Sequence, residues 1–172
     1  MRAITLITTG GTIEKTYDEA TGQLSNRRSV VRRMVRRLRL EDARVSVVEL
    51  LSKDSLHMTD DDRTAIVNAL RACGADRPQD PGSGVVILHG TDTLTVTGER
   101  ILAEMPRPGV PIVLTGAMRP FEMVRSDALQ NLTEAIFATG VLAPGVYCVA
   151  HGRALGFPGV HKDRERRTFV RV

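Results

Sequence analysis

Tryptophan is absent, and tyrosine and phenylalanine together make up 3% of the 172 residues. None is interleaved with the basic runs, which argues against a stacking platform for single-stranded nucleic acid. Cysteine is as scarce. Cys73 and Cys148 lie in apolar or helical settings without metal-like spacing, so they read as reduced structural thiols rather than a disulfide framework. No apolar run approaches the length of a membrane span, and residues 1–9 lead straight into a first strand, so no secretory leader is expected. A cytoplasmic protein without membrane contact is the expectation. Lysine is the rarest charge, at 3 residues against 21 arginines, which leaves few candidates for a lysine base.

The composition, 42% hydrophobic and 26% charged, is that of a globular chain. We expect a single domain over residues 1–172, long enough to bury a real core. The formal net charge is +4. Its densest source is the run 27–39, where Val31, Met34, Val35 and Leu38 share one helical face and arginines occupy the other. A solvated amphipathic helix is the simpler reading, and an acidic or anionic partner the alternative.

Strand and helix patterns alternate along the chain. Residues 2–8, 45–51, 85–88, 110–114 and 146–150 read as strands, and 14–27 as a long polar loop or hairpin. Helices are expected from a Ser29 cap to Arg39, from a Thr59 cap to Cys73, over 94–105, and from Ser126 or Asp127 to Thr139. Gly74 and Gly140 close the second and fourth of these. The last 22 residues are rich in Gly and Arg, with a candidate short strand at 168–172. Such alternation predicts an α/β fold, a doubly wound and mostly parallel sheet with helices on both faces in a Rossmann-like three-layer sandwich.

Two strands lead into chemistry-bearing turns. Ile4–Ile7 is followed by Thr8-Thr9-Gly10-Gly11-Thr12-Ile13, and Val85–Leu88 by His89-Gly90-Thr91-Asp92-Thr93. In an open α/β sheet, ligands bind in the crevice beyond the strands' C-terminal ends. The Gly-Gly turn lets a ligand approach backbone N–H groups; alone it reads equally as a plain strand-ending turn, and no phosphate-loop spacing is present. Asp92 or Thr93 could simply cap the next helix. A threonine nucleophile needs a base, and lysine serves when burial or neighbouring cations favour its neutral form. Lys15 in the loop beside Thr12, Lys53 after the second strand and Lys162 after the fifth are the three choices. Ser52–Thr59 supplies hydroxyls and an acid at the same sheet edge.

With Thr115-Gly116-Ala117-Met118-Arg119-Pro120, these two runs resemble the signature of the bacterial L-asparaginase/glutaminase family in order, spacing and strand-end context. Asp54-Ser55-Leu56-His57-Met58-Thr59 resembles that family's substrate loop, and Ser126–Leu132 its helix after the fourth strand. The likeness runs from Arg2 to about Lys162. It implies Thr12 as nucleophile, Tyr17 as the loop tyrosine that polarises it, and Thr91, Asp92 and Lys162 as a second triad. Asp92 would also accept the substrate ammonium, and Ser55 would bind its α-carboxylate. Ala117 would line the amide pocket, with Gly11 and Gly90 supplying backbone contacts.

The implied activity is hydrolysis of L-asparagine to aspartate and ammonia through an acyl-enzyme, with no cofactor and no metal. The alternatives are an amidase acting on glutamine or another amide, and a non-catalytic binding module. A small-molecule substrate and a homo-oligomer, dimer or tetramer, are the implied partners. The chain is expected to depart from the family in having no C-terminal domain, from which, in the family, a neighbouring subunit supplies an acid to the substrate's amino group. Leu56 and His57 also stand where hydrogen-bonding or acidic residues are common, so weaker substrate binding is expected.

Overall fold

A computed structural model describes residues 1–172. Six strands form the central sheet: β1 (Arg2–Gly10), β4 (Ala43–Lys53), β5 (Gly84–Leu88), β6 (Pro111–Thr115), β7 (Gly145–Ala150) and β8 (Arg153–Gly156). Their order across it is β4-β1-β5-β6-β7-β8. All neighbours pair in parallel except β7 with β8. Two hairpins stand outside the sheet: β2 (Thr16–Asp18) with β3 (Gln23–Ser25), and β9 (Val160–Asp163) with β10 (Thr168–Arg171).

β5 and β6 are buried along their whole length, because a parallel strand covered by helices on both faces can be apolar at every position. Alternation sorts their side chains into two cores. Val85 and Ile87 join Ile66, Leu70, Leu94 and Ile101 on one face, where α2 (Asp60–Ala72) and α3 (Leu94–Glu104) pack. Val86 and Leu88 join Met34, Leu132 and Ile136 on the other, beneath α1 (Val31–Val35) and α4 (Ala128–Ala138). This is the expected three-layer sandwich.

α2 starts where its acids and cap place it. Thr59 Oγ1 accepts from Asp62 N at 3.3 Å, and the Asp62 carboxylate accepts from Thr59 N at 2.9 Å, a reciprocal capping box. Gly74, at φ 75°, ends the helix.

Two expectations are corrected. α1 covers Val31–Val35 rather than 29–39, because Arg37 and Leu38 bond back only three residues, to Met34 and Val35. The run's arginines disperse: Arg27 pairs with Asp18, Arg32 with Glu49 and Arg33 with Glu122, while Arg33 and Arg37 lie over the Phe121 ring. The Gly- and Arg-rich tail, expected to hold one short strand, holds β8 and β9 as well as β10. Of the two expected caps of α4, Ser126 takes the role: its Oγ accepts from Ala128 N at 3.1 Å, while Asp127 makes no cap hydrogen bond.

Candidate active site

Counting only parallel strands in chain order, the sheet runs second, first, third, fourth, fifth. The winding therefore reverses between β1 and β5, and a crevice opens beyond their C-terminal ends. Registers align Thr8 with Leu88 and Leu88 with Thr115, so Thr12, Thr91 and Ala117 leave the same edge within four residues.

Glycine is required where the two turns meet. A Cβ on Gly11 would lie 2.4 Å from Gly90 Cα, and Gly11 also takes φ +78°. A Cβ on Gly90 would lie 2.5 Å from Ser55 Oγ. Backbone thus packs on backbone between Gly11 and Gly90, and the Ser55 side chain packs onto Gly90. Ser55 is buried, its carbonyl accepts from Thr93 Oγ1 at 2.8 Å, and its hydroxyl accepts from Thr93 N at 3.4 Å. Ala117 is buried on the neighbouring strand end.

Lys162 arrives from a distant part of the chain. β9 and β10 form an antiparallel hairpin anchored in the core by Val160 and Phe169, and Phe169 lies opposite Lys162. The Lys162 ammonium donates to Thr91 Oγ1 at 2.8 Å and to Asp92 Oδ1 at 2.9 Å, with its side chain 15% exposed. Arg164 adds a second cation to Asp92 at 3.2 Å. With its oxygen accepting from Lys162, the Thr91 hydroxyl keeps its own proton free to donate into the crevice. The other two lysines are engaged elsewhere: Lys15 with Asp54 at 2.7 Å and Lys53 with Asp62 at 2.8 Å.

The Lys15 pair ties the Thr12 loop to the Ser55 loop. Lys15's hydrogen bond, helped by donation from Leu56 N, holds the Asp54 carboxyl below the usual carboxylate range. Leu56 itself is 63% exposed.

Thr12 and Tyr17 are placed differently. Thr12 opens a single 3-10 turn, Thr12–Glu14, at the end of β1, and Asn26 Nδ2 donates to Gly11 O at 2.8 Å, tying the far end of the loop back to this turn. Tyr17 sits on the β2–β3 hairpin, 59% exposed, lining crevices whose walls do not include Thr12. Thr91, Asp92 and Lys162 are therefore in contact, whereas no hydrogen bond joins Thr12 to Tyr17.

Sequence reasoning passed over four groups. Glu14, 2% exposed, accepts hydrogen bonds from Thr8, Ser29 and Gly10 N beneath the Thr12 turn. Burial pushes its pKa up against those donors, and the charge of Glu49 adds to the rise. His89 is fully buried. The Gly90 carbonyl, 2.8 Å from Nδ1, can only accept, so Nδ1 carries the proton and Nε2 accepts from Thr97 at 2.8 Å. Burial lowers its pKa to about 4, so it is a neutral structural group.

Asp127 and His151 complete the set. The Asp127 carboxylate accepts from Met118 N (2.9 Å), Arg119 N (3.0 Å), Asn131 Nδ2 (3.0 Å) and His151 Nε2 (2.8 Å). Burial alone would raise its pKa; donation from Met118, His151 and Arg119 outweighs that and holds it low. An acid with partners scattered over three elements leaves no local spacing to read, whereas the acid at Glu14, two residues after Thr12 and next to apolar Ile13, was a visible oddity. No group of three or more His, Cys, Asp or Glu side chains converges as a metal site would require.

Residues 3–167 match the family model described as asparaginase, N-terminal. The chain is 30% identical over 139 residues to an L-asparaginase of Thermococcus kodakarensis, covering 81% of this chain and 41% of that protein. It is 29% identical over 151 residues to a glutamyl-tRNA(Gln) amidotransferase subunit of Haloquadratum walsbyi, covering 86% of this chain and 33% of that one. Among solved structures, the thermostable L-asparaginase from Thermococcus kodakarensis superposes with a TM-score of 0.86 at 26% identity, over 99% of this chain and 51% of that chain. The chain thus spans less than half the length of these two curated relatives.

Proposed function

Because the chain belongs to the asparaginase family through that family's N-terminal domain, we propose that it is an amidohydrolase that converts L-asparagine to aspartate and ammonia. The observation that carries this reading is the Lys162 contact with both Thr91 and Asp92, beside two glycine turns that open backbone N–H groups to a ligand. In this reading the Thr12 hydroxyl attacks the side-chain amide carbon, and its proton passes through the Tyr17 hydroxyl to the departing nitrogen. Ammonia leaves, and an ester to Thr12 remains. Backbone N–H groups of the Gly11 and Thr91 turns hold the oxyanion. Water held by Thr91 and Lys162 then attacks the ester, the proton returns to Thr12, and aspartate departs. Asp92 takes the substrate ammonium and Ser55 its carboxylate. In this reading the exposed β2–β3 hairpin folds inward to bring Tyr17 onto Thr12, so closure is part of the cycle.

A second amide is the competing reading. It is favoured by the relatives named as glutamyl-tRNA(Gln) amidotransferase subunits and by Leu56, which offers no hydrogen bond to a free amino acid. The two free thiols fit the reducing compartment that a cytoplasmic enzyme would occupy. Exposed Phe137 and Val141, which share one apolar crevice, support assembly with a second copy, which light scattering tests.

Ammonia release decides between these readings. Asparagine should be hydrolysed faster than glutamine, and Thr12→Ala should lower turnover by about three or more powers of ten while the protein stays folded. Turnover of glutamine alone would favour the second reading. Near-normal turnover in Thr12→Ala would remove Thr12 from the chemistry.

A further inference from the structure

β7 and β8 are joined by two residues, His151 at φ 53° and Gly152 at φ 76°, with Ala150 and Arg153 paired across the turn. Positive φ at both positions is the two-residue hairpin geometry for which Asn-Gly is the usual choice. Histidine adopts that conformation less readily than asparagine, so its place here calls for a reason in its side chain. The ring supplies one. Nε2 lies 2.8 Å from Asp127 Oδ2, and Nδ1 lies 3.0 Å from Thr168 Oγ1. A carboxylate only accepts, so Nε2 carries a proton, and Nδ1 pairs with the Thr168 hydroxyl in either protonation state.

These two contacts join distant parts of the candidate site. Asp127 clamps the Met118 and Arg119 amides and so fixes the loop that begins with Ala117. Thr168 is on β10, one position from Phe169, which lies opposite Lys162. We propose that His151 is a positioning residue for Lys162. By pinning Thr168 to Asp127, it sets the height of the β9–β10 hairpin over the sheet edge and holds the lysine on Thr91 and Asp92. The inference rests on the amidohydrolase reading for its catalytic consequence, but the tie itself does not.

The test uses His151→Asn and Thr168→Val. Asparagine suits the turn, so His151→Asn removes the ring's reach without straining the backbone, and Thr168→Val removes the same contact from the other side. Each should lower kcat for ammonia release from asparagine about 10- to 100-fold, since small misplacements of a reacting group cost that much. KM should stay within about threefold, and the double variant should fall no more than about twofold below the weaker single one, because both cut one link. Hydrogen exchange of amides 160–171 should rise in both. An unchanged kcat alongside a lowered Tm would make His151 merely structural and overturn the proposal. Unchanged exchange over 160–171 would also overturn it, even if wild-type protein released no ammonia, which would count against the proposed function instead. Ammonia release that survived Thr12→Ala and vanished in Thr168→Val would make Thr168 a nucleophile, and that too would overturn it.

Discussion

The Thr91 side and the Thr12 side of the crevice solve the same problem in opposite ways. Around Thr91, Lys162 joins a hydroxyl to the Asp92 carboxylate and Arg164 pairs with that carboxylate, held by a hairpin whose Val160 and Phe169 are sunk in the core. Around Thr12, the buried acid Glu14 has three hydrogen-bond donors and no cation, and the tyrosine is out in solvent on a separate hairpin. In the proposed mechanism one side is finished before substrate arrives, and the other needs a closing motion. The difference follows from anchoring. β9–β10 buries large apolar side chains, whereas β2–β3 exposes Tyr17 and Leu24 and is tied down mainly by Lys15, Asn26 and Arg27.

The contrast is broken most severely by removing the lysine. Lys162→Met should lower kcat about 10²- to 10⁴-fold, the range for losing a positioned proton-transfer group. It should also cost about 1.5–3 kcal/mol of stability, as expected for hydrogen bonds to charged groups. Steady-state kinetics and urea unfolding check the two effects. Tyr17→Phe should do less, about 10²-fold in kcat, the low end of the same range, with no change in unfolding midpoint because the ring is exposed. In wild-type protein, added aspartate should slow hydrogen exchange over residues 14–27 and leave 160–171 almost unaffected. Equal slowing in both segments would erase the distinction between a finished and an unfinished side.

Acidity sharpens the comparison through two carboxyls. Glu14 has a raised folded pKa, so it binds its proton more tightly folded than unfolded. The stability it contributes is complete below its ordinary value of 4.5 and is lost as pH rises through the raised value. Glu14→Gln should remove that loss. Asp54 has a lowered folded pKa, so its contribution is present above 3.8 and is lost as pH falls through the lowered value. Asp54→Asn should therefore destabilise at neutral pH and become harmless in strong acid. Thermal unfolding of the two variants from acid to neutral pH should give slopes of opposite sign relative to wild type. The smallest effect belongs to Leu56. Because it is largely exposed, Leu56→Gln should lower KM for asparagine only about two- to tenfold, the worth of one ordinary hydrogen bond.

Local signals carried most of the fold. The Thr59 capping box, the glycine stop at Gly74 and the apolar strands β5 and β6 are each set by residues within a few positions of one another. β8 and β9 were not legible, because their short, arginine-bearing surroundings become strands only by pairing with β7 and β10. Helix α1 was overextended for a related reason: its apolar face continues to Leu38, but the last turns tighten instead of continuing as α-helix. In the site, the strand-end turns could be read because glycine and threonine there have few other uses. The links that join them could not. Asp127 resembles a helix cap in sequence, and its carboxylate is spent on Met118, Arg119 and His151, eight or more residues away. Tyr17 shows the opposite case, close to Thr12 in sequence and not hydrogen-bonded to it in the structure.

The central claim is a division of labour, with Thr12 carrying the acyl group and Thr91 with Lys162 releasing it. Rapid mixing of Lys162→Met protein with asparagine, followed by intact-mass and peptide mass spectrometry, tests that claim most directly. The expected result is a covalent aspartyl adduct that accumulates on the peptide containing Thr12 and is absent when Thr12→Ala is added to the same variant. An adduct on the peptide containing Thr91, or none under conditions where the wild-type protein releases ammonia, would contradict it.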